Sequence, residues 1–169
     1  MDAAVWGFVG ALAGAVIGAT ASIATTVISS RNEAKLQSQA DSLDRSERSR
    51  AFQRENLLAV QDALQDLGRA TGRAHHQDVM AHRAGAQWGR TPLDGELDEA
   101  LGLANRRLSA LVERVGDDTL RSELKAVHSQ MNQATLAPSQ DEADILFRES
   151  MDSYEQAMSH LGAVLRSHY

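Results

Sequence analysis

No cysteine occurs anywhere in this sequence, which excludes both a disulfide framework and a thiolate metal site. Proline is nearly absent, with two in 169 residues, and aromatics make up 4%. Neither alternating apolar patterns nor clusters of β-branched and aromatic residues bounded by turn signals are found, so nothing reads as a strand. Lysine is scarce as well: the basic residues are 15 Arg to 2 Lys, a bias expected of a GC-rich prokaryotic genome. The motifs that specify reactions are missing too. There is no phosphate-cradling glycine loop, no nucleophile elbow, no Glu-x-x-His and no His-Glu-x-x-His. An enzyme is not expected from such a chain.

What is present begins with residues 3–28, an unbroken uncharged run, AAVWGFVGALAGAVIGATASIATTVI. As a helix it would reach ~39 Å, against a bilayer core of ~30 Å, so it reads as a single transmembrane helix. Gly10, Gly14, Gly18 and Ser22 recur every fourth residue, with Ala3, Gly7, Ala11, Ala15 and Ala19 beside them. Small-xxx-small faces let two helix backbones approach closely. The expected helix-packing residues are therefore Gly7, Gly10, Gly14, Gly18 and Ser22, and the expected partner is a second copy. Ala19-Thr20-Ala21 could pass as a signal cleavage site, but no basic residue precedes the run, so it is expected to be retained. Arg31, Lys35, Arg45, Arg48, Arg50 and Arg54 follow it. The positive-inside rule then places the N-terminus outside and the remainder in the cytoplasm, at a bacterial inner membrane.

Charge divides the remainder. Residues 31–54 carry six basic and four acidic groups, and residues 55–169 carry eleven basic and eighteen acidic ones. So acidic a distal part repels phosphate backbones, and no nucleic-acid partner is expected. Residues 31–50 read as a charged helical stalk. Leu36 and Leu43 are seven apart, Leu57 and Leu64 continue the register, and Arg50 interrupts it: a weak coiled-coil pattern through which the chain could also self-associate.

Residues 51–169 read as a helical bundle. Leu57, Val60, Leu64 and Leu67 follow 3-and-4 spacing, the mark of an amphipathic helix. A loop from Gly85 to Gly95 carries Trp88. Thr91-Pro92 then suits a helix start, with Gly95 leaving the start open by about a turn. Leu97, Leu101, Ala104, Leu108, Leu111 and Val115 mark a second apolar face, ended by Gly116. Leu120, Leu124, Val127 and Met131 mark a third. Ser139 with Glu142 forms a capping-box signature ahead of the fourth, whose expected buried face is Ala143, Leu146, Phe147, Met151, Tyr154, Met158, Leu161 and Leu165. The fold class is all-α: a transmembrane helix continuing into a stalk and an antiparallel four-helix bundle.

Two polar constellations stand out. Past Leu67 the apolar stripe of the first bundle helix continues as Thr71, His75, Asp78 and His82. In an up-down bundle the third helix would bring His128 toward the same end. His75, Asp78, His82 and His128 are thus candidate ligands for a divalent metal or a pH-responsive cluster. A solvated helix end with carboxylates complementing helix dipoles is the simpler reading, and no cofactor is required. The second stripe is Arg69, Arg73, His76, Met80 and Arg83, a basic face able to meet an anionic ligand or an acidic partner. Trp88 is the other candidate partner contact, or else a lid packed over the bundle end.

WGFVGALAGAVIGA, SSRNE, RAFQRENLLAVQDALQDLGRATGRAHH and AQWGR together resemble a loose group of uncharacterised bacterial proteins from GC-rich genomes, which begin with a Gly-rich membrane helix and continue as a helical tail. The resemblance covers the first half better than the second and implies no activity. The expected function is a membrane-anchored scaffold or protein-interaction module with an unknown protein partner and contact to lipid. Alternatives are a ligand-, metal- or pH-responsive membrane sensor, and an oligomeric pore, for which Thr20, Ser22, Thr25 and Thr26 would be the polar lumen residues.

Overall fold

In the computed structural model, the backbone is described for residues 3–169, and side chains for residue 33 and residues 35–169. Four helices follow one another: α1 (Ala3–Arg83), α2 (Gly95–Val112), α3 (Asp118–Thr135) and α4 (Gln140–Ser167). Among the described residues there is no strand, as the missing alternation predicts. Among the residues whose side chains are described, no helix is long and apolar enough to cross a membrane. The run at residues 3–28, with its packing residues Gly7, Gly10, Gly14, Gly18 and Ser22, lies outside the residues whose side chains are described.

The chain divides into two units, Met1–Arg48 and Ser49–Tyr169. In the first, Arg48 pairs with Asp44 one turn earlier at 2.6 Å, a local helix-supporting contact. Leu36 and Leu43 are exposed, at 66% and 62%.

In the second unit the helices pack as an up-down-up-down bundle. Between α1 and α2 the contacts run antiparallel: Gln53 meets Arg114 and Gly116, Asp66 meets Arg107, and Gln77 meets Pro92. Antiparallel pairing also joins α2 to α3 (Asn105 with His128, Glu113 with Lys125). Glu123 with His160 joins α3 to α4. His75 with Asp144 and Arg54 with Tyr169 join α1 to α4. α2 and α4 occupy opposite corners. One core fills the middle: Leu57, Val60, Leu64 and Leu67 of α1 meet Leu108 of α2, Leu124 and Met131 of α3, and Leu161 of α4. Each fully buried leucine contributes roughly 1.5–3 kcal/mol of transfer free energy.

The helix ends follow from side-chain chemistry. Asp117 Oδ1 accepts from Leu120 N at 2.8 Å, and Ser139 Oγ accepts from Glu142 N at 3.4 Å, both N-caps of the usual kind. At α2 the Thr91-Pro92 start is corrected. The helix begins at Gly95, with Asp94 as its cap, accepting from Glu96 N at 2.9 Å. The reason is Gln77, whose side chain donates to Pro92 O at 3.0 Å and accepts from Asp94 N at 3.3 Å. Those two bonds hold residues 92–94 as a strap across α1, and a helix starting at Pro92 would give them up. The fourth helix keeps its expected face, with Ala143 and Leu161 fully buried and Met151, Tyr154, Met158 and Leu165 packed against the core, but Ser150 and Ala157 join it. Its fully buried residues are Ala143, Ser150, Ala157 and Leu161, while Leu146, Phe147, Tyr154 and Leu165 are half-buried. Three of the four fully buried residues are small, and the larger ones flank the seams.

Candidate functional site

The end of the bundle where α1 stops collects the first constellation. His75 is half-buried, with its Nε2 3.0 Å from Asp144 Oδ1 on α4. Its ring stacks flat on Phe147, centroids 4.7 Å apart and planes 2° from parallel. Trp88 from the α1–α2 loop lies edge-on to both His75 and His82, at 6.0 and 5.9 Å. Its Nε1–H donates to Ala137 O at 3.0 Å, tying that loop to the α3–α4 connection. Trp88 is therefore a half-buried lid, and its indole N–H is already engaged. Gly85 and Gly89, with φ of 94° and 65°, supply the left-handed turns that fold the loop back.

His82 is exposed and bonds locally, Nδ1 to Ala86 O at 2.9 Å. Burial pushes the Asp78 carboxyl above the usual carboxylate range, partly offset by the charge of His75. Thr71 is buried at 1%, and its Oγ1 has no hydrogen-bond partner.

His128 does not join them. It lies at the α2/α3 seam, Nε2 2.7 Å from Asn105 Oδ1 and 3.3 Å from Asn132 Nδ2. Burial lowers its pKa below the ordinary imidazole value. The expectation placed it too far along α3. His128 is ten residues after Asp118, only ~15 Å along the helix, so it stops short of the His75 level. Among the described residues no three His, Asp or Glu side chains gather in a geometry fit for a metal ion. The proposed ligands are thus split between two seams.

The basic stripe resolves into a groove between α1 and α2. Arg69 and Arg73 stand on the α1 bank and Arg107 on the α2 bank, over a floor of Ala70, Ala100 and Ala104, around a cavity of about 270 Å³. Arg69 meets Asp66 at 2.6 Å and Arg107 meets it at 3.5 Å, so two guanidiniums share one carboxylate while Arg73 lines the groove beside them. Exposed Leu103 lines the same groove. Arg83, the last residue of α1, is exposed and does not line it.

Sequence reasoning missed the partners from other helices: Asp144 and Phe147 for His75, Asn105 for His128, Arg107 for the groove. It also missed the Glu123–His160 pair, 2.7 Å between Oε2 and Nδ1. None carries a local signal, since each pairing is set by which helices become neighbours. No protein-family model matches the chain, and no curated protein or solved structure matches it either.

Proposed function

We propose that this protein is a membrane-anchored helical scaffold: residues 3–28 anchor and pair copies of the chain, and the bundle acts as a protein-interaction module. The observation that carries the reading is the uncharged run at residues 3–28 with its four-residue repeat of Gly10, Gly14, Gly18 and Ser22. A segment that long and uncharged is costly to leave in water and suits a bilayer core. The flanking arginines orient the bundle toward the cytoplasm of a bacterial inner membrane. Fractionation of cells expressing the full chain tests the anchor: it should stay with the membrane through a carbonate wash, and recovery in the soluble fraction would refute it. Crosslinking in membranes tests the pairing. Gly14→Leu and Gly18→Leu should reduce the dimer, because a leucine on that face holds the backbones apart; an unchanged ladder would remove the helix from the interface.

A further inference from the structure

The Arg-lined groove has a matching ridge elsewhere on the same chain. On the outer face of α4, Ile145 is 49% exposed. Asp141 and Glu149 lie one turn to either side of it, and Glu142 and Asp152 complete an acidic surround; all four are exposed. At helical spacing these five residues share the face opposite buried Ala143, Ser150 and Ala157. An exposed isoleucine flanked by four carboxylates, with exposed Arg148 on its remaining side, complements an alanine floor banked by arginines. The spacings agree as well. Arg69 and Arg73 are about one turn apart along α1, as Glu149 and Asp152 are along α4, so two charge pairs can meet without bending either helix.

We infer that the first turns of α4 of one copy dock in the α1/α2 groove of a second copy, Ile145 seating beside Leu103 on the alanine floor and the carboxylates facing Arg69, Arg73 and Arg107. The inference rests on the reading of the chain as a self-associating module and adds a contact surface within the bundle. Three features favour this occupant. The groove holds one carboxylate against three guanidiniums, leaving positive charge for an incoming acid. It opens along α1, with Arg69 and Arg73 also bordering the shallow face around Gly68, Gly72 and His76, which suits a helix rather than a compact ligand. Within one chain, α2 and α4 sit at opposite corners, so the ridge cannot fold back into its own groove. Groove and ridge are different surfaces, so the contact is head-to-tail: it builds rows or rings of bundles and does not close as a two-fold dimer. Anchored copies held at one membrane would meet at high effective concentration.

The absence of cysteine makes the test direct. Full-length chains carrying Leu103→Cys or Ile145→Cys are co-expressed and oxidised in membranes. The 103–145 crosslink should exceed the 103–103 and 145–145 products about fivefold, and should weaken as salt shortens the reach of the charges. Arg69→Glu/Arg73→Glu/Arg107→Glu should remove the excess, and a partner chain with Asp141→Arg/Glu149→Arg/Asp152→Arg should restore it, with circular dichroism melts confirming that both variants fold. Equal yields of all three products would overturn the inference, as would failure of the charge swap to restore the crosslink. Loss of binding to phosphatidylglycerol vesicles in the arginine variant with unchanged crosslinking would assign the groove to lipid and overturn it too. If the chain proves not to be anchored, the same crosslinks are read on the soluble protein, so the anchor and the contact fail separately.

Discussion

At the α2/α3 seam His128 is desolvated, with its Nε2 2.7 Å from Asn105 Oδ1 and 3.3 Å from Asn132 Nδ2. Burial lowers its pKa from 6.5, so the folded state takes up a proton less readily than the unfolded chain does. The sign follows: the stability contribution is complete above about pH 6.5 and is lost as pH falls toward the folded value. His128→Gln should therefore flatten the loss of stability between pH 7 and 5 in urea titrations, and an unchanged slope would refute the assignment. Asp78 has the opposite sense. Its raised pKa means stability that is complete below about pH 3.8 and lost as pH rises through the folded value. Asp78→Asn should raise the melting temperature at pH 7 and have no such effect at pH 3. Of these two groups the sequence shows only that they lie near a core stripe. How far water is withdrawn from each depends on the opposing helix.

At the scale of elements, caps and apolar faces were readable because they are local. Ser139 with Glu142 starts α4 where the capping box predicts, and Leu120, Leu124, Val127 and Met131 are all buried as their spacing predicts. Where long-range bonds compete, the local signal loses: Gln77, from a different helix, moves the start of α2 from Pro92 to Gly95. Glycine within α1 offers a check on packing. A Cβ at Gly72 would lie 3.8 Å from the Phe147 ring, an ordinary contact, while alanine in a helix is favoured over glycine by about 0.8–1 kcal/mol. Gly72→Ala should stabilise the bundle by up to about that amount in chemical denaturation. Destabilisation would mean that α1 and α4 approach more closely than described.

At the scale of the whole molecule, every residue of the main core lies between Leu57 and Leu161, inside the unit Ser49–Tyr169. Residues 49–169 expressed alone should therefore melt in a single cooperative transition, followed by calorimetry or circular dichroism; a broad, non-cooperative melt would show that the core needs more of the chain. The leucine series makes the same point. Leu57 and Leu64 are fully buried, whereas Leu36 and Leu43, in the same register, are exposed, because three further helices surround α1 only in the bundle. The sequence alone determined the all-α class, the number of bundle helices and most of their buried faces, since helical periodicity and caps are properties of neighbouring residues. It also carried the uncharged run at residues 3–28. Only the tertiary structure decided that His75 and His128 belong to different seams, that Trp88 is a lid, and that Arg107 joins Arg69 and Arg73 over one groove. Those outcomes depend on which helix faces come together, and packing of residues distant in the chain decides that.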